Sequence, residues 1–131
     1  MSNSNTITLP IHYTFKYKSK KDKTVLVGLN AYRNWHYLVS NKVKHDYHTM
    51  VAEQIGKQKF NKIKLLYKVY AARNGTDGHN IRAVIEKFFM DGLVEAGAIE
   101  DDDISHVIGD TSEYYIDKMN PRIEITILPV L

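Results

Sequence analysis

The sequence contains no cysteine, which excludes disulfides and every thiolate-ligated zinc or iron–sulfur centre. A reducing compartment fits that absence. No apolar run approaches the roughly 20 residues of a membrane-spanning helix, and the opening MSNSNTITLP lacks an apolar signal core, so a soluble intracellular protein is expected. Acids are scarce early in the chain: residues 1–76 hold 14 Lys and Arg against 3 Asp and Glu, whereas residues 77–131 hold 4 against 12. The halves therefore carry +11 and −8 within a total of +3. A basic surface suits a phosphate polymer, because each Lys or Arg placed on it releases condensed counterions. Acids would repel that polymer unless they are gathered in a small site that holds a divalent cation. The competing reading is that the halves interleave into an evenly mixed surface.

At 131 residues and 44% hydrophobic content, the chain is long enough for one core and too short for two ordinary ones. A single domain over 1–131 is expected. TITLPIHYTFKY (6–17) alternates, KSKKDK (18–23) is a charged turn, and TVLVGL (24–29) is apolar; together they predict a hairpin. From Asn34 to Gln58 apolar residues recur at Trp35, Leu38, Val39, Val43, Tyr47, Met50, Val51 and Ile55, which predicts an amphipathic helix. KIKLLYKVYAAR (62–73) reads as a strand ending at the turn cluster NGTDG. Asp77 is then a candidate N-cap for a second helix over 79–96, closed near Gly97. ISHVIG (104–109) reads as a short strand, 111–121 as a loop, and RIEITILPV (122–130) as the last strand. The expected fold class is α+β, a single domain with a mixed β-sheet of about five strands and two main helices.

Two constellations stand out. At about 100° per residue, Asn80, Lys87 and Asp91 fall within an arc of roughly 60° on the second helix, beside its buried stripe. The order Lys87 before Asp91 is the weaker arrangement for an i,i+4 pair, so helix stability is a poor reason for it. Glu100, Asp101, Asp102 and Asp103 follow the helix C-terminus, where the macrodipole disfavours acids. Either the run is a solvated loop, or it meets Asp77 at one end of the sheet, where converging carboxylates would suit Mg²⁺ and phosphodiester hydrolysis.

The series Asp77-Gly-His-Asn80, Lys87, Asp91-Gly-Leu93, Gly97 and Asp101-Asp102 resembles the core pattern D-x-D-N, K, D-x-L, G, D-D of the RusA-like Holliday junction resolvases. LNAYRNWHYLVSNKVKHDYH (29–48) is similar to the first helix region of bacteriophage members, and the likeness extends from about Leu29 to Glu124. The resemblance implies a homodimeric, Mg²⁺-dependent endodeoxyribonuclease that resolves four-way junctions or other branched DNA in recombination and repair. It would act in the cytoplasm of a bacterial host cell, with no membrane and no small-molecule cofactor beyond the metal. Carried over by position, the catalytic residues are Asp77, Lys87 and Asp102, with Asp77 and Asp102 as metal ligands.

The second Asp of D-x-D-N is replaced by His79, which could ligate the metal, contact phosphate or cap the helix; imidazole suits Mn²⁺ better than Mg²⁺. Asp91 and Asp101 are expected behind the ligands, with Asp91 holding the Lys87 ammonium and Asp103 a neighbour. Asn30, Tyr32 and Arg33, read as a loop between strand and helix, and Lys42 and Lys44 on the helix are the candidate DNA contacts, followed by Lys57, Lys59, Lys62 and Lys64. Asn30 to Arg33 could equally be a turn capped by Asn34. Trp35 reads as core rather than as a base-stacking platform. The alternative function is a non-catalytic protein of the same fold that binds branched DNA.

Overall fold

The computed structural model describes residues 5–130. The N-terminal reading above rests partly on residues 1–4, which lie outside the described residues, as does residue 131. Among the described residues the architecture is α+β: a mixed four-stranded sheet, a separate two-stranded sheet and three helices form one hydrophobic core. No helix among the described residues is long and apolar enough to cross a membrane.

The expected hairpin is divided at Pro10. Its first part becomes β1 (Thr6–Leu9), which joins the main sheet, and the remainder pairs as β2 (His12–Phe15) with β3 (Lys23–Leu26). Proline has no N–H for a ladder, and the Pro10 carbonyl instead accepts a 2.6 Å hydrogen bond from the Tyr47 hydroxyl.

A six-residue helix, α1 (Leu29–Asn34), follows where a loop was expected. It is too short for apolar periodicity to register. The long helix α2 (Tyr37–Ile55) is capped by His36, whose Nδ1 accepts from the Leu38 N–H; Asn34 instead donates its side-chain amide to the Asn30 carbonyl. Val43, Tyr47, Val51 and Ile55 form the buried stripe, while Leu38 is exposed. Trp35 lies before α2, half-buried, with its ring edge-on to Phe15 and Tyr32.

Strand β4 (Lys62–Ala71) alternates cleanly, burying Ile63, Leu65, Tyr67, Val69 and Ala71. Asp77 caps α3 (Gly78–Glu95), whose buried face includes Ile81, Ile85, Phe88, Phe89 and Leu93. A methyl group added at Gly92 would lie 3.3 Å from Val51 Cβ, so this glycine lets α3 lie close on α2. Gly97 has φ 77°, the left-handed conformation that ends helices and that glycine adopts without a Cβ clash.

Strand β5 (Val107–Ile116) starts later than predicted and takes in residues 111–116, which were read as loop. It is a sheet edge with most side chains exposed, so no buried alternation marked it. The last strand is β6 (Arg122–Val130), giving the order β1-β6-β4-β5. β6 is antiparallel to both neighbours, whereas β4 and β5 are parallel, with α3 as the crossover between them.

Arg82 ties that crossover together. Its guanidinium contacts Glu86 at 3.1 Å, Asp110 at 2.8 Å and Ser112 Oγ at 2.8 Å, and lies 4.3 Å from the centre of the Tyr67 ring. Arg82→Ala would leave two carboxylates without their cation beneath the helix. Because both are about one-third exposed (35% and 38%), solvent screening reduces the expected loss to about 2–3 kcal/mol. Urea denaturation checks this, and a change below about 0.5 kcal/mol would exclude Arg82 as a tie between layers.

Candidate functional site

The sequence-predicted residues divide between the two ends of α3. At its N-terminus Asp77 accepts from the Asn80 backbone N–H at 3.3 Å and from the Asn80 side-chain amide at 2.9 Å. Both line an open cleft of about 620 Å³ with Asn30, Arg73, Asn74 and Thr76. The sequence reading missed Arg73 and Asn74 as members of this cleft, although their place in the turn cluster before Asp77 was the available signal. His79 is exposed and its Nδ1 lies 3.4 Å from the Tyr114 hydroxyl. Tyr114 is on β5, not in a loop.

Farther along α3, the Lys87 ammonium lies 5.4 Å from the centre of the Tyr32 ring. A hydrogen bond with the Tyr32 hydroxyl, its charge, and then Asp91 hold Lys87 above the ordinary lysine range, so it is a cation at neutral pH. The expected Lys87–Asp91 ion pair is replaced by one between Asp91 and Lys44 at 3.7 Å. The reason is tertiary: α2 packs beside α3 and offers a second ammonium. Asn30, Tyr32 and Arg33 stand on α1 rather than on a loop. Lys42 donates to the Tyr13 hydroxyl at 3.1 Å and is 3.8 Å from Asp46.

Beyond the C-terminus of α3 the four acids have different work. Asp103 Oδ1 accepts from Ser105 Oγ at 2.6 Å and is 2.7 Å from His106 Nδ1, and Glu100 lies 3.9 Å from the opposite ring nitrogen. Asp101 accepts from the Asp102 backbone N–H. Asp102 is left exposed, and its carboxyl is held above the ordinary range by partial loss of water, a hydrogen bond with Asp101 and the charges of Asp101 and Asp91. Asp103 is pulled down to about 2, chiefly by Ser105 and then by His106. Since this folded value lies below the unfolded one near 3.9, the contribution of Asp103 to stability is complete above about pH 4 and lost as pH falls through about 2. A carboxylate NMR titration would read that midpoint, and an ordinary value near 3.9 would remove Asp103 as the anchor of this turn.

Asp77 and Asp102 do not meet at one end of the sheet. Asp77 follows the C-terminal end of β4, whereas the acidic run precedes the N-terminal start of β5, and parallel pairing of Ile63 with Val107 and of Ala71 with Ile116 puts these at opposite ends. Helix length agrees: fourteen residues from Asp77 to Asp91, which neighbours Asp102, span roughly 21 Å. No three His, Asp or Glu side chains among the described residues are grouped to hold a metal ion. Asp77 and His79 of one chain thus stand at the other end of α3 from Asp102. What one chain presents is a ridge, with Asp77 and Asn80 at one end, Lys87 between, and Asp91, Asp101 and Asp102 at the other. No protein-family model and no curated protein matches the chain.

Proposed function

We propose that the chain is a structure-selective, Mg²⁺-dependent endodeoxyribonuclease of the RusA-like Holliday junction resolvase type. The observation that carries this reading is the ridge itself. Asp77, Asn80, Lys87, Asp91, Asp101 and Asp102, the polar residues of the resemblance, fall along one helix and its two ends, while Leu93 of the same pattern is buried in the core. The excess of lysine in the first half adds a partner for phosphate, with Lys44 beside the ridge.

One chain separates the two carboxylates, so a shared ion requires two copies related by a two-fold axis, with Asp77 of one facing Asp102 of the other. A closed dimer of this kind has two such places, which suits paired cuts in a four-way junction. The ion would supply charge neutralisation and water activation at the phosphodiester; Mn²⁺ is the other candidate. Lys87, held protonated by Tyr32 and Asp91, stabilises the charge that builds on a phosphate oxygen. The raised Asp102 carboxyl takes a proton at higher pH than an ordinary aspartate, so cleavage is lost early on the acid side. Asp91→Asn removes one of the charges that raise it and moves that acid limb to lower pH; an unmoved limb would dissociate Asp102 from the rate.

The experiment is incubation of the protein with a labelled four-way junction and with linear duplex, in Mg²⁺, Mn²⁺ or EDTA. Paired metal-dependent nicks near the branch are expected. Tight junction binding without a nick under any metal would instead indicate a non-catalytic protein that binds branched DNA.

A further inference from the structure

Five lysines lie between residues 16 and 23, against the single Asp22. All of them are exposed, and none has a carboxylate within ion-pair distance among the described residues. Lys20 instead sits 4.4 Å over the Tyr17 ring. Local folding does not ask for this concentration of charge, since like charges across a hairpin repel. Beneath it is a groove of about 390 Å³ between the hairpin and the start of α2, lined by Phe15, Tyr17 and Trp35 together with Lys16, Lys23 and Lys42. Phe15 and Trp35 meet edge to face at 6.0 Å and are half-buried, so aromatic surface remains open inside a basic rim.

We propose that this groove binds unpaired nucleotides, with bases against Trp35, Phe15 and Tyr17 and phosphates on Lys16 and Lys23. The occupant follows from the chemistry. Lysines match phosphates, and aromatic rings match base faces, which a single strand exposes and a stacked duplex hides. Lysine alone would suit any polyanion; rings set between lysines distinguish a strand carrying bases. This departs from the sequence reading of Trp35 as core rather than as a base-stacking platform: the ring is half-buried, meets Tyr32 edge-on and also lines the groove. The inference rests on the nucleic-acid part of the proposed function and is independent of hydrolysis.

Trp35 is the only tryptophan of the chain, so its emission reports on the groove directly. Oligothymidylate added at low salt is expected to quench it saturably, and Asp102→Asn to leave that quenching intact even if junction cleavage is absent. Tyr17→Ala is expected to weaken the binding at least about fivefold. Lys16→Ala with Lys23→Ala should lower the slope of log affinity against log salt by about 1.4. These side chains are exposed, and circular dichroism checks that the variants fold. Equal affinity for an abasic strand or for polyglutamate would overturn the proposal in favour of unspecific charge or an acidic peptide. It would also be overturned by absence of quenching, or by variants that bind as the parent does.

Discussion

Chains carrying Asp77→Asn and chains carrying Asp102→Asn, each inactive alone, nick a four-way junction when they are co-expressed and assemble into mixed dimers. On the proposed function, with its shared two-chain site, this result is expected because parallel pairing of β4 with β5 puts the two carboxylates at opposite ends of α3. In a mixed dimer one shared site carries both asparagines and the other carries both aspartates. Each pure variant should lose at least about a hundredfold in cleavage, the scale of a single contact to developing charge. A random mixture contains about half mixed dimers with one intact site of two, so about a quarter of the parent sites return. The product also changes: one strand is cut rather than two, giving nicked junctions instead of resolved duplexes. If mixed dimers are demonstrated by differential tagging and still do not cut, the shared-site arrangement is wrong. A pure Asp102→Asn protein that cleaves normally would remove this residue from the chemistry altogether.

The largest expected loss of stability is at Phe88. Its ring is 1% exposed, stacks on Tyr47 at 5.3 Å and meets Tyr32 edge-on at 6.0 Å, joining all three helices. Phe88→Ala removes those contacts and leaves a void in a core that can close only partly, costing about 4 kcal/mol. Against a total stability of roughly 5–15 kcal/mol that is severe, and for a chain of this size it corresponds to a fall in Tm on the order of 15 °C. Calorimetry measures it. Tyr32 also holds Lys87, so on the proposed function the variant should lose junction cleavage beyond what its folded fraction explains. A Tm within about 3 °C of the parent would mean that this aromatic cluster is not a keystone.

Much of this fold was legible because local chemistry and tertiary burial agree. β4 and β6 alternate, α3 carries its own cap at Asp77 and its own stop at Gly97, and the α2 stripe from Val43 to Ile55 is buried as its period requires. Reading failed where burial does not follow local pattern. β5 has exposed residues on both faces, so its Tyr and Thr content had no alternation to support it. α1 is shorter than two helical turns. For the candidate site, the period of α3 aligned Asn80, Lys87 and Asp91 correctly, but strand direction is a long-range property and the expected meeting of Asp77 with Asp102 depended on it. The partner of Asp91 likewise came from α2, which no spacing within α3 could reveal.

The placement of β6 has a consequence for how the molecule is made. β6 lies between β1 and β4, pairing Thr6 with Thr126 and Leu65 with Ile127. Until the residues from Arg122 onward have been synthesised, β1 lacks the strand it pairs with and β4 lacks one of its two. These late contacts span most of the chain, so the loop that must close is long and the rate of folding should be set by it. During synthesis the earlier segments expose unpaired strand edges and apolar side chains, which are open to association with other nascent chains. A chain stopped before Arg122 would therefore accumulate as aggregate rather than as a smaller folded protein.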